Sequence, residues 1–207
     1  MGWRTVAARW LRGLSILPSF WTVLGPVPSA AHPEVVLTAV VVPVFDAAGR
    51  LGAIQEKWSF DYEYSALVGM QLDRNGDGVF DVDELLKTIG PGGILAWLTE
   101  KDYLTRVTVA GQTIAHTAAQ SITVGVADAR LVIEFTVSLT EPQVIARSAD
   151  LELFDPDIYF GVEFDHSTVE SPTAPAWCRI VPLRDESPDP AIDHAAGFRF
   201  RVAIDCG

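Results

Sequence analysis

Oxygen-bearing side chains are concentrated in one twelve-residue stretch, residues 73–84, at a spacing that suits a bound cation. The candidate ligands are Asp73, Asn75, Asp77, the backbone carbonyl of Val79, Asp81 and Glu84. The only asparagine of the chain falls among them, and the stretch contains no histidine or cysteine. Oxygen ligands suit a hard cation such as Ca²⁺, whereas zinc and nickel favour nitrogen and sulfur. The stretch therefore predicts a site for a hard divalent cation.

The spacing matches the EF-hand calcium loop, whose ligands lie at positions 1, 3, 5, 7, 9 and 12. Gly78 falls at position 6, where the chain needs a positive φ, and Glu84 supplies the bidentate carboxylate at position 12. The alternative is an acidic surface turn that binds nothing. Five carboxylates in twelve residues repel one another unless a cation neutralises them, so Ca²⁺ binding is the expected outcome. Because one such loop is visible, we expect a structural ion rather than a switch.

Helical patterns flank this loop, as its mechanism requires. Apolar residues recur at helical spacing over residues 61–72 and 83–89, and a further short helix is predicted over residues 94–98. Asp61 precedes the first of these helices and is predicted to cap it.

Strand patterns dominate the rest of the chain. They cover Val35–Phe45, Leu51–Phe60 and residues 106–109, 113–117, 131–139 and 198–204. The first of these segments is a continuous apolar run, which is typical of a strand covered on both faces. The predicted fold is α+β: a single β-rich domain over residues 32–207, with sandwich-like antiparallel sheets and an EF-hand-like helix-loop-helix insertion at about residues 61–98.

The first 31 residues have the pattern of an export signal. Three arginines precede an apolar stretch of about a dozen residues, which is short of the roughly 20 that a membrane span needs. Small residues at the end of this segment predict cleavage after Ala31, with cleavage after Ala30 as the close alternative. An uncleaved anchor helix is the other interpretation. We expect a periplasmic or secreted protein without stable membrane insertion after cleavage.

Charge excludes one class of partner. The chain has 15 basic and 27 acidic residues, a net charge of −12, and residues 32–207 alone carry −15. A nucleic-acid-binding protein needs a basic surface, so we expect no nucleic-acid partner.

Both cysteines, Cys178 and Cys206, lie in the part expected to be exported. An even count in an oxidising compartment predicts one disulfide, and two reduced, buried thiols are the alternative. Sequence motifs for catalysis are missing: there is no nucleophile elbow, no HExxH and no Gly-rich phosphate loop. The sequence therefore favours a protein that is not an enzyme.

Several short elements, taken in order, resemble the DUF1007 family of exported bacterial proteins. They are Ala31-His32-Pro33, Phe45 to Leu51, Trp58 to Asp61 with Tyr64-Ser65-Ala66, Asp73 to Glu84, Asp102-Tyr103, Asp155-Pro156 with Tyr159, and Cys178. The family is described as periplasmic components of uncharacterised transport systems and is associated with nickel, cobalt or zinc permeases. The resemblance implies an accessory or solute-binding role in transition-metal uptake, with an inner-membrane metal permease as partner.

The family pattern begins His-Pro-His, whereas this chain has His32-Pro33-Glu34. If cleavage exposes His32, its α-amine and imidazole can chelate Zn²⁺, Ni²⁺ or Co²⁺, and Glu34 can add an oxygen. The alternative is that His32 simply begins the first strand. A competing function, in which calcium is purely structural, is an extracellular structural or adhesion module.

Overall fold

Ten strands make up most of the described structure, a computed structural model that describes residues 35–72, 93–157, 159–164, 169, 171–184 and 200–207. In chain order they are β1 (Val35–Phe45), β2 (Leu51–Phe60), β3 (Thr105–Val109), β4 (Gln112–Ile114), β5 (Gln120–Ala127), β6 (Arg130–Gln143), β7 (Ser148–Leu153), β8 (Phe160–Phe164), β9 (Cys178–Arg184) and β10 (Phe200–Cys206). They form two five-stranded sheets. The first has the order β5-β6-β2-β1-β8, and the second has the order β4-β3-β7-β10-β9.

The two sheets share one hydrophobic core. The first sheet contributes Leu37, Trp58 and Ile133 to it, and the second contributes Leu151 and Ile204, all of them at most 1% exposed. Every second residue of β10 is buried, because side chains of a strand alternate between its faces. The predicted β-rich, sandwich-like fold is therefore confirmed.

Two details differ from the predicted sandwich. Strand β1 was expected to be covered on both faces, but its residues alternate between buried and half-buried. The described residues bury only the face that points to the second sheet. In addition, β8 pairs with β1 in parallel, from Val35 opposite Phe160 to Ala39 opposite Phe164, whereas the other strand pairs are antiparallel. A parallel pair needs a long crossover, and here most of the chain lies between the two strands.

Two helices lie where helical patterns were predicted: α1 (Tyr62–Leu72) and α2 (Gly93–Glu100). In the described part of the chain, neither helix is long and apolar enough to cross a bilayer. The proposed export signal at residues 1–31 and the helix predicted over residues 83–89 lie outside the described residues.

A left-handed turn joins α2 to β3. Its three residues, Asp102, Tyr103 and Leu104, have φ values of 51°, 53° and 54°. This region disfavours side chains other than glycine, so surrounding contacts must hold the turn in place. Tyr103 and Leu104 are each 4% exposed and anchor the turn in the core.

Candidate functional site

Helix α1 leads directly into the candidate calcium loop, since it ends at Leu72 and Asp73 is the next residue. Its beginning is fixed by Asp61, whose Oδ1 accepts a hydrogen bond of 2.7 Å from the backbone N–H of Tyr64. The other carboxylate oxygen accepts a bond of 2.8 Å from the N–H of Val36 on β1. The predicted cap is confirmed, and the same side chain also ties the helix to the sheet.

A second polar contact holds α1 against β6. The Ser65 hydroxyl accepts a hydrogen bond of 2.9 Å from the N–H of Leu131 and lies 3.4 Å from the carbonyl oxygen of Phe60. Val68, one turn further along, is 5% exposed. The incoming helix of the predicted loop is therefore attached to the first sheet at several points.

An aromatic cluster clamps both helices to the end of the first sheet. Its members are Phe60, Tyr64, Trp97, Tyr159 and Phe160. The ring of Phe160 on β8 lies 4.9 Å from that of Trp97 on α2 and 6.2 Å from that of Tyr64 on α1. Burial raises the pKa of Tyr64 to about 12, with smaller contributions from Tyr159 and Asp61, so its phenol stays neutral. The two helices that bracket residues 73–92 thus rest on one shared ring.

The turn before β8 is fixed by Asp155, which is 1% exposed. Its carboxylate accepts hydrogen bonds from three backbone N–H groups, those of Asp157 at 3.0 Å, Tyr159 at 3.0 Å and Phe160 at 2.9 Å. Asp155 therefore sets the position of the ring on which both helices rest.

The predicted metal ligands themselves lie outside the described residues. This applies to the calcium set Asp73, Asn75, Asp77, Val79, Asp81 and Glu84, and to the transition-metal candidates His32 and Glu34. What the structure supplies is the attachment of the two helices that precede and follow residues 73–92.

His116 is the one histidine with a described position. Its Nε2 lies 3.3 Å from the carbonyl oxygen of Thr105, and its Nδ1 lies 3.3 Å from the carbonyl oxygen of Thr117. A neutral imidazole carries one N–H, so one of these two carbonyls accepts a hydrogen bond from the ring. Within the described ranges, no three His, Cys, Asp or Glu side chains come together as a metal site.

A cavity of about 490 Å³ lies beside the left-handed turn. Two of its charged lining residues are engaged in ion pairs: Lys101 pairs with Asp157, and Arg106 lies 3.6 Å from Glu152. Glu100 and Asp102 also line the cavity.

The disulfide predicted from the cysteine count is confirmed between Cys178 and Cys206. The two residues stand opposite each other where β9 pairs with β10. The bond fastens the last strand of the second sheet to its edge strand.

Sequence reasoning missed Glu56, a carboxyl group on the core face of β2. It is 3% exposed and lies between Ile54 and Trp58 on that face. Trp58 Nε1 donates to its Oε2 at 2.9 Å, and Thr105 Oγ1 lies 2.5 Å from its Oε1. Burial raises the pKa of Glu56 from 4.5 to about 7, while the hydrogen bonds from Thr105 and Trp58 oppose the rise. The signal was available, since an acid occupies a position where the alternation demands an apolar residue.

A family model for a protein of unknown function, DUF1007, matches residues 18–196, which is most of the chain. The chain belongs to the DUF1007 family. Comparison with curated proteins found no match.

The elements that carried the DUF1007 resemblance have structural roles wherever they are described. Asp46 accepts hydrogen bonds of 2.9 Å from the N–H groups of Ala48 and Arg50 and forms the turn between β1 and β2. In the same turn Gly49 has a φ of 73°, and an added Cβ would lie 3.2 Å from side-chain atoms of Pro175 and Trp177. Asp61 and Asp155, described above, fix the two sides of the aromatic cluster. In this DUF1007 protein, Asp61 and Asp155 therefore support the two helices, whereas Asp46 and Gly49 shape the hairpin turn between β1 and β2.

Proposed function

We propose that this DUF1007 protein is an exported calcium-binding protein that serves as an accessory or solute-binding component of a transition-metal transport system. The observation that supports calcium binding most directly is the placement of α1. The helix is capped at Asp61, held by the aromatic cluster, and ends immediately before the first predicted ligand, Asp73. In an EF-hand, the calcium loop follows directly on the incoming helix.

The donor set suits calcium. Asp73, Asn75, Asp77, Val79, Asp81 and Glu84 provide oxygen alone, and the chain as a whole is strongly acidic. When bound, Ca²⁺ would neutralise the crowded carboxylates and connect the incoming helix to the residues around Glu84. The confirmed disulfide supports export, because such bonds persist in oxidising compartments.

Replacing Glu84 with Gln is expected to abolish stabilisation by calcium. At affinities of about 10⁻⁴–10⁻³ M, typical of extracellular modules, 10 mM Ca²⁺ stabilises a folded protein by roughly 1.5–3 kcal/mol. For a domain of this size that raises Tm by roughly 3–10 °C. Thermal unfolding in Ca²⁺ and in chelator measures the shift. Asp83→Asn is the matched control, since it removes one charge from the loop at a position that supplies no ligand. Equal curves for the native protein in Ca²⁺ and chelator would contradict calcium binding.

The transition-metal role predicts a second site that is separate from calcium. In calorimetric titration of the mature protein with Zn²⁺, Ni²⁺ or Co²⁺ under saturating Ca²⁺, we expect one binding event, which His32→Ala removes because the imidazole is lost. His116→Ala is the control, since that ring is engaged with backbone carbonyls. If titration of the native protein with these metals produces no heat of binding, the transition-metal role is wrong. The alternative, an extracellular structural or adhesion module with a purely structural calcium ion, is then favoured.

A further inference from the structure

Two oxygen atoms, one on Glu56 and one on the backbone of Tyr103, lie within hydrogen-bond distance of the Thr105 hydroxyl. Thr105 Oγ1 lies 2.5 Å from Glu56 Oε1 and 2.9 Å from the carbonyl oxygen of Tyr103. A threonine hydroxyl has one proton to donate, and a carbonyl oxygen can only accept. If Glu56 were ionised, its carboxylate and the Tyr103 carbonyl would compete for the same proton.

A protonated Glu56 removes this competition. In that form the carboxylic acid would donate from Oε1 to Thr105 Oγ1, which reverses the bond that an ionised Glu56 accepts, while the threonine donates to the Tyr103 carbonyl and Trp58 Nε1 donates to Oε2. Every polar atom of the relay then has a partner, as buried polar groups require. We propose that Glu56 is a neutral carboxylic acid in the folded protein and that its proton forms a pH-sensitive latch between the first sheet and the left-handed turn.

The surroundings of Glu56 favour the neutral form. Its neighbours in strand register are Val41 on β1 and Phe135 on β6, neither of which can carry a charge. The titratable side chains next to the relay are Tyr103 in the left-handed turn, whose phenol is hydrogen-bonded to Thr99 at 2.8 Å, and His116, whose Nε2 lies 3.3 Å from the Thr105 carbonyl oxygen.

The nearest basic residues in sequence point away from the core. Lys57 on β2 and Arg106 on β3 have side chains that are 47% and 59% exposed. Burial without a compensating positive charge is the leading cause of the raised pKa of Glu56.

The latch holds a segment that is unfavourable by itself. Thr105 donates to the carbonyl of Tyr103, the central residue of a turn whose three φ values are positive. The turn carries the chain from α2 into β3. Ionisation of Glu56 draws the threonine proton away from that carbonyl, so the attachment of α2 weakens as the pH rises. This device does not depend on whether calcium binds.

The sign of the pH effect follows from proton binding. Between pH 4.5 and about 7 the folded protein holds a proton on Glu56 that the unfolded chain has lost. Stability from this group is complete below pH 4.5 and is lost as the pH rises through 7. One proton of difference changes the unfolding equilibrium constant about tenfold per pH unit.

The test compares urea unfolding of the native protein, Glu56→Gln and Glu134→Gln between pH 4.5 and 8.5. In Glu56→Gln, the introduced amide group can donate to Thr105 and accept from Trp58, so it imitates the acid form. We expect Glu56→Gln to lose the tenfold dependence per pH unit below pH 7 and to match or exceed native stability above it. Glu134, on the outer face of the same sheet with a 51% exposed side chain, should keep the native slope when replaced.

The proposal is overturned if the unfolding equilibrium constant of Glu56→Gln changes with pH as steeply as that of the native protein. It is also overturned if the variant is destabilised by the same factor at every pH. In either case Glu56 of the native protein is an ionised carboxylate. Infrared difference spectra of the native protein provide a readout that needs no folded variant. We expect a carboxylic-acid carbonyl band that disappears with a midpoint near pH 7. A protein that shows no such band at pH 5.5 contradicts the latch.

Discussion

Reduction of the Cys178–Cys206 disulfide is expected to lower the free energy of unfolding by about 3–4 kcal/mol. The bond joins residues 28 positions apart, and closing a loop of that length removes conformational entropy mainly from the unfolded chain. Urea unfolding of the same protein with and without reductant measures the effect, so no packing is altered by substitution.

The double variant Cys178→Ala with Cys206→Ala provides the control. Its free energy of unfolding should equal that of the reduced protein, or be lower because a smaller side chain replaces Cys206, which is 4% exposed. Its unfolding should not respond to reductant. Because β10 lies between β7 and β9, loss of the bond should loosen the β9 edge first. Coincident unfolding curves for the oxidised and reduced protein would show that strand pairing alone fixes this edge.

Asp155→Ala is expected to lower the free energy of unfolding by roughly 2–4 kcal/mol. Three backbone N–H groups lose their acceptor, and the one belonging to Phe160 is buried, where an unsatisfied donor costs roughly 1–3 kcal/mol. Phe160 supports both Tyr64 and Trp97, so the two helices should also become less protected in hydrogen exchange.

Asp157→Ala is the matched control for this experiment. It removes an acid two residues away whose side chain is 60% exposed and whose partner is Lys101, and exposed ion pairs contribute about 0–1 kcal/mol. If Asp155→Ala proved no more damaging than Asp157→Ala, the three hydrogen bonds would not hold the turn, and the aromatic cluster would have to be stabilised in another way.

The two structural acids show where sequence reasoning succeeds. Asp61 was recognised as a helix cap because capping is local: its carboxylate accepts from the free N–H of Tyr64, three residues later. Its second bond, to the N–H of Val36 on β1, was not predicted. Asp155 also bonds locally, but its importance comes from Phe160, which packs against helices about 60 to 100 residues earlier in the chain. No sequence pattern around Asp155 predicts the packing of Phe160 against these helices.

Some strands were predicted from the sequence pattern, and others were not. β1, β2, β6 and β10 have long alternating or continuous apolar patterns and were predicted, whereas β5, β7, β8 and β9 were not. Strand length does not separate the two groups, because the short strands β3 and β4 were predicted as well. The residues of β5 are all exposed or half-buried, so that strand has no buried face to predict, and its pairing depends on partners chosen in three dimensions. The parallel pairing of β8 with β1 belongs to this group, because it joins Val35 to Phe160.

The sequence by itself determined the properties that depend on residue type and short spacing. These are the oxygen donors of residues 73–84, the β-rich class, the helix that ends at Leu72, the cap at Asp61 and the pairing of the two available cysteines. Only the tertiary structure decided which strands meet, which ring supports both helices, and that Glu56 faces Thr105 inside the core. The physical reason is that burial and hydrogen bonding between distant segments depend on the whole packed chain, whereas periodicity and capping require only a few neighbouring residues.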